Sequence, residues 1–229
     1  MKTLSVVFAH GAVINTVKRH LFLWKSHTDI VLIVSPNDDP CIIENIDCFT
    51  YGKSEKWGTS LIDRQFFAMK LSILYSADFY IFLEYDAILL DKPKLRQEVQ
   101  GNLFNEHLFI NKKYEDIKNG LCFMHFPWVW PSNLLKEFIA QTVLDKNIDS
   151  IYPDGWIVQK LIALDFKIHN LFLTEGFSRN SIDNEEAALE AIEGIKNKGF
   201  YAIHGIKTDE LLQRFLQAKA ETISLKSLS

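Results

Sequence analysis

Two carboxylates two positions apart, Glu84 and Asp86, follow an unbroken apolar run from Tyr80 to Leu83, and apolar residues resume at Ala87. In an extended chain, residues two apart face the same side, so this spacing predicts both carboxylates in one space at the end of a strand covered on both faces. Two like charges inside an apolar run are costly unless something offsets them. The usual offset is a hard divalent cation, Mg²⁺ or Mn²⁺, shared with phosphate oxygens. A strand end with both carboxylates solvated would leave the same triplet and hold no ligand. The triplet alone does not separate the two.

The second stretch with chemistry in it is His204-Gly205-Ile206-Lys207, which closes a short apolar run beginning at Phe200. A neutral imidazole can ligate such a cation, and a lysine supplies a point charge for phosphate. Gly205 lets the backbone approach closely. Asp154 precedes Gly155-Trp156 where a helix should begin, and aspartate is among the best residues for that cap. A cap also holds its carboxylate rigidly. His20, His27, His107, His125 and His169 have no comparable setting and read as surface or core residues.

The elements that must position these groups follow from periodicity. Buried strands are expected over residues 4–9 and 29–34, and a third, shorter strand over 46–51. Between the first two, a helix over 14–26 carries Val17, Leu21 and Trp24 on one stripe. Residues 35–40, Ser-Pro-Asn-Asp-Asp-Pro, form a strong loop signal. A helix over 60–76, capped by Ser60, leads into the acidic strand. This order predicts an α/β fold with a doubly wound, mostly parallel sheet. Ligands of such sheets sit at the carboxyl ends of the strands, which places His10, the 35–39 loop with Asp38, and the Glu84–Asp86 pair on one rim.

The second half is expected to contain short strands over 107–110, 121–126, 166–171 and 200–203. Helices are expected over 93–100, 133–144 with Ser132 as cap, 155–164, and 184–198 ended by Gly199. Thr208 would cap a last helix with Leu211, Leu212, Phe215 and Leu216 on one face, and the pattern fades from Ala218. Trp128 and Trp130 lie between Pro127 and Pro131, which excludes regular helix. They could form an acceptor loop that stacks on sugar faces, or pack the core. Core packing is favoured for at least one of them.

Several function classes are poorly supported. The first turn has no GxGxxG pattern, and the chain has neither a GxxxxGK[ST] loop nor the GxGxxR-type opening of sugar nucleotidylyltransferases. With 25 basic against 29 acidic residues, nothing marks a nucleic-acid binder. The 3 cysteines have no metal-ligand spacing and read as reduced thiols. The N-terminal apolar run is too short for a secretory signal, and no run approaches the about 20 residues that span a bilayer. A cytoplasmic location is expected, in a host cytoplasm if the source is viral.

Together these stretches resemble the GT-A glycosyltransferases, with Glu84-Tyr85-Asp86 as an ExD variant of the DxD motif. A closer resemblance is to the GT-A domains of algal-virus (chlorovirus) capsid-glycosylating enzymes. The resemblance implies a single GT-A, Rossmann-like domain over 1–222, with a mixed, mostly parallel central sheet flanked by helices. Residues 1–100 would be the nucleotide-binding half, 101–222 the acceptor-binding half, and 223–229 a tail. It implies transfer of a sugar from a nucleotide diphosphate sugar, a UDP-sugar favoured, to a hydroxyl of a glycan or glycoprotein, with inversion and Mn²⁺ or Mg²⁺ as cofactor. Residue by residue, Asp86 would bind the metal directly. Glu84 would bind it through water or contact the ribose, and His204 would complete the protein ligands. Lys207 would face the diphosphate, Arg64 the nucleotide sugar, His10 and Asp38 the nucleoside, and Asp154 would be the general base. The chain departs from the family pattern in its Glu84 and in a lysine so close to the histidine. Those departures keep open a non-catalytic nucleotide- or glycan-binding module, and a metal-dependent phosphohydrolase or nucleotidyltransferase.

Overall fold

The apolar runs become the middle of a sheet. The computed structural model describes residues 1–54, 59–91, 108–110, 127–144, 153–170, 182, 184–199 and 202–227. The strands are β1 (Thr3–Phe8), β2 (Ile30–Ser35), β3 (Asp47–Thr50), β4 (Phe79–Glu84), β5 (Ile88–Leu89), β6 (Leu108–Ile110), β7 (Trp128–Pro131), β8 (Ile168–Asn170) and β9 (Ala202–Ile203). The helices are α1 (Ile14–His27), α2 (Thr59–Ser72), α3 (Ser132–Gln141), α4 (Pro153–Ala163), α5 (Glu185–Glu193) and α6 (Asp209–Ser227). The expected segments 93–100 and 121–126 lie outside the described residues.

The main sheet has the order β3-β2-β1-β4-β7-β6-β8. β7 is antiparallel to both of its neighbours, and the other neighbouring pairs are parallel. The fold is therefore the expected α/β class, with a mixed, mostly parallel sheet and helices on its two faces. Alternation along the strands assigns the faces. Leu4, Val6, Tyr80 and Phe82 meet Ile62 and Phe66 of α2, Leu135 and Phe138 of α3, and Trp156 and Leu161 of α4. Val7, Phe79, Ile81 and Leu83 meet Val17 and Trp24 of α1 on the other side.

The register builds the rim. Phe8 stands beside Val34 on one side and Glu84 on the other, so β1, β2 and β4 end level. A second sheet, β5 with β9, pairs Ile88 with Ile203 and brings the end of β9 against the turn that follows β4. Sequence periodicity did not reveal this pairing, because two-residue strands have no period.

Several expectations need correction. Core packing, the favoured reading of Trp128 and Trp130, holds for both, and the alternative of an acceptor loop does not: the segment is strand β7, and both indoles are fully buried, Trp128 across from Phe82 and Trp130 across from Tyr80. Ser132 is not a cap. The N-cap position falls on Pro131 without a side-chain hydrogen bond, and the Ser132 N–H donates to the Asp78 carbonyl at 2.9 Å, tying the helix start to the sheet. Pro153 opens α4, where its missing N–H costs nothing, so Asp154 lies inside the first turn and not at the cap. The stretch after Ala218, where the apolar pattern fades, continues as helix to Ser227. Buried Ala218 and Thr222 pack there, and ion pairs from Lys219 to Asp91 and Lys196 to Glu221, each 2.6 Å, pin it. A small residue and paired charges give no apolar pattern to read. Gly199 does end its helical segment, with φ 66, and Thr208 does accept from the Leu211 N–H at 3.3 Å.

Candidate metal centre and adjoining cavity

β4 carries Glu84 to its end, and the chain then turns, with the Ala87 N–H donating to the Glu84 carbonyl at 3.0 Å. Asp86 therefore sits in a turn and not on the strand. The two carboxylates converge through that turn, a different route from the strand alternation expected. His204, at the end of β9, joins them. Its Nε2 lies 2.6 Å from Glu84 Oε2 and 3.1 Å from Asp86 Oδ1. One ligand atom from each of the three residues falls within 4.8 Å of the others.

The environments differ. Asp86 and His204 are buried, while the Glu84 side chain is 42% exposed. Burial disfavours a charged imidazole, but hydrogen bonds and charge from Asp86 and Glu84 outweigh it and hold His204 up to about 10. The Nε2 proton is directed to Glu84, the nearer carboxylate. Asp86 Oδ1 is buried and, beyond its 3.1 Å contact with His204 Nε2, meets no donor among the described residues. Two carboxylates and one imidazole around a buried oxygen of this kind fit a divalent cation. Glu84, Asp86 and His204 can hold one.

A cavity of about 520 Å³ opens beside this centre. Its lining includes His10, Asp39, Ser54, Arg64, Glu84 and Tyr85. Glu84 thus belongs to both the cluster and the cavity wall. Arg64 is buried and donates to the Lys53 carbonyl at 3.3 Å. Burial lowers its pKa below the ordinary value, with Asp38 opposing, and the guanidinium keeps its charge. Burial, reinforced by Asp86 and Glu84, pushes the Tyr85 hydroxyl up to about 12, so it remains a donor. His10 Nδ1 is 3.2 Å from Asp39 Oδ2.

Asp38 does not line this cavity. Its carboxylate accepts from the Ser54 N–H at 2.7 Å and the Ser54 hydroxyl at 2.9 Å, which ties the loop after β2 to the segment after β3. The neighbouring Asp39 faces the cavity in its place. Lys207 is exposed in the segment between His204 and α6. The side chain of Asp154 lies outside the described residues. Of the residues expected from sequence, His10, Arg64 and Glu84 meet at the cavity, and Glu84, Asp86 and His204 meet at the cluster.

Gly11 is set where a side chain would disturb this wall. A Cβ there would collide with Asp39 Oδ1 and approach the Pro40 carbonyl to 3.0 Å. Gly11→Ala should push Asp39 off His10 and weaken binding of a ligand held in this cavity about tenfold, with UDP as the probe and the fold retained. Calorimetric titration beside a circular dichroism spectrum checks both halves.

His20 carries a separate pH expectation. Burial lowers its pKa below the usual value, and a backbone hydrogen bond to Tyr85 opposes this in part. Below the unfolded value of about 6.5, the unfolded chain binds a proton that the folded state resists, so stability falls as pH drops through that range. Melting temperature measured from pH 8 to pH 5 (~pH units spanning that value) should decline more in the wild type than in His20→Asn, which does not titrate.

No protein-family model matches the chain, and no curated protein matches it. Among solved structures it is similar to the bifunctional IspDF from Campylobacter jejuni, at 12% identity and a TM-score of 0.46, over 75% of this chain and 49% of that one. The chain thus spans about half the length of that protein. It is also similar to a cytidylyltransferase from Leptospira borgpetersenii, at 13% identity and a TM-score of 0.45, over 96% and 94% of the two chains. A third is a Drosophila β-1,4-galactosyltransferase 7 mutant in complex with manganese, UDP-Gal and xylobiose, at 4% identity and a TM-score of 0.46, over 74% and 65%. These scores are low, and the functional reading rests on the site instead. Among the described residues, no helix is long and apolar enough to cross a membrane.

Proposed function

We propose that this chain is a metal-dependent glycosyltransferase of the GT-A type, moving a sugar from a UDP-sugar to a hydroxyl of a glycan or glycoprotein. The observation that carries the reading is the double membership of Glu84. A carboxylate in a cation-ready cluster also walls a cavity that holds a buried arginine and a His10–Asp39 pair. A nucleoside diphosphate needs both halves, a pocket for the nucleoside and charge compensation for the phosphates.

A bound Mn²⁺ or Mg²⁺ supplies charge neutralisation on the diphosphate leaving group. The chain's own residues do the rest. Glu84, Asp86 and His204 hold the ion, and Arg64 and Lys207 add fixed positive charge towards the phosphates. His10 and Asp39 orient the nucleoside. Asp154 takes the proton from the acceptor hydroxyl, which makes the reaction inverting.

The test is a UDP-sugar panel incubated with the protein and Mn²⁺, with the products separated. Release of free sugar and UDP, or transfer to an added glycan, supports the reading. Cleavage within the phosphate chain replaces it with a nucleotidyltransferase or phosphohydrolase. Tight metal-dependent UDP binding with no turnover of any donor replaces it with a binding module.

A further inference from the structure

The turn that carries Asp86 is held from outside by an unusual share of its own backbone. Four consecutive carbonyls each have a donor. The Glu84 carbonyl accepts from the Ala87 N–H at 3.0 Å, and the Asp86 carbonyl accepts from the Ile206 N–H at 2.9 Å. The other two are met by side chains of α1. His20 Nδ1–H donates to the Tyr85 carbonyl at 2.9 Å, and Trp24 Nε1–H donates to the Ala87 carbonyl at 2.8 Å.

We infer that His20 and Trp24 are positioning residues that preset the metal-ligating turn. The inference rests on the reading of Glu84, Asp86 and His204 as a metal centre. The two residues are four apart on α1, so they stand on one face, and their donors reach carbonyls two apart that bracket Asp86. Neither is part of the cation cluster or the cavity lining. Both are buried, and their rings meet edge to face at 5.9 Å and 87°, so each donor braces the other. A carbonyl can only accept, which fixes the proton on His20 Nδ1. From the other side, Gly205 at φ 93 makes the bend that delivers the Ile206 N–H to the Asp86 carbonyl. With the peptides on both sides of Asp86 fixed, its carboxylate direction is set before an ion arrives. Without His20 the Tyr85–Asp86 peptide loses its hydrogen bond, without Trp24 the Ala87–Ile88 peptide loses its own, and either loss loosens the turn that aims Asp86 Oδ1 at His204 Nε2.

The experiment titrates Mn²⁺, alone and with UDP, into the wild type, His20→Leu, His20→Asn and Trp24→Phe, reading free Mn²⁺ by electron paramagnetic resonance. Circular dichroism confirms folding at the titration temperature. His20→Leu and Trp24→Phe should raise the Mn²⁺ Kd about tenfold, the lower end for groups that orient ligands. His20→Asn has an amide N–H close to the Nδ1 position and should stay within about twofold of wild type, although it loses the same ring packing. If His20→Leu fails to fold, Trp24→Phe and His20→Asn still carry the comparison. Wild-type Mn²⁺ affinity in folded Trp24→Phe and His20→Leu would overturn the inference and leave both as core residues. So would a His20→Asn as weak as His20→Leu, since packing and not the donor would then matter. A wild type that binds no Mn²⁺ even with UDP overturns the metal centre itself, a result distinct from equal binding by all four proteins.

Discussion

Asp86→Ala should abolish the Mn²⁺-dependent gain in UDP affinity that the proposed metal centre implies, a loss of more than about 100-fold, since removing a proposed direct ligand exceeds the 10–100-fold range for groups behind the ligands. Asp86 is the buried member of the carboxylate pair, and its Oδ1 faces His204 Nε2 at 3.1 Å. No other carboxylate among the described residues joins that cluster apart from Glu84. Glu84 keeps its own contact with His204 at 2.6 Å, so the imidazole retains a partner in the variant and the fold should survive. Asp86→Asn sharpens the result. It preserves shape and removes charge, and it should fail almost as completely, because affinity for a hard cation depends on the number of charged ligands. Calorimetric titration of UDP with and without Mn²⁺ reads both variants. If Mn²⁺ strengthens UDP binding equally in wild type and Asp86→Ala, the cluster is a buried ion pair and not a metal centre.

Trp130→Ala should cost about 3–5 kcal/mol, within the range for large aromatic core deletions and a large part of the about 5–15 kcal/mol that holds a typical domain together. Trp130 is fully buried, with its ring 5.0 Å from that of Phe138 and 6.4 Å from that of Phe166. It joins β7 to α3 and to the segment before β8, so the cavity left behind would loosen three elements at once. Trp130→Phe should cost much less. It keeps an aromatic ring there and removes an indole N–H that meets no acceptor among the described residues. Urea unfolding at 25 °C (~room temperature) reads both variants through the midpoint at constant slope. A Trp130→Ala protein that keeps its stability but loses sugar affinity would return this residue to the acceptor-loop reading.

Both results turn on residues whose types were visible in the chain and whose settings were not. Tyr80 to Leu83 announced a doubly covered strand, because an apolar run without alternation has few other uses. The level ends of β1, β2 and β4 followed from the β-α-β order, and with them the rim that gathers His10, the 35–39 loop and Glu84. The identity of the loop residue at the cavity did not follow. Asp38 and Asp39 are equivalent as letters, and only the hydrogen bonds of Asp38 to Ser54 leave Asp39 facing the cavity.

His20 and Trp24 mark the boundary best. Trp24 on the apolar stripe of α1 was readable as core, and it is core. That its N–H would meet the carbonyl of Ala87, 63 positions later, was not readable. The same holds for His204, which reaches Glu84 across 120 positions through the pairing of two strands of two residues each. Read alone, the amino-acid sequence determined which segments are buried, on which face, and which residue types could bind a cation, because those properties repeat over a few neighbouring positions. Tertiary structure alone decided which of these residues meet, because a contact between distant segments depends on how whole elements pack and leaves no local period in the chain.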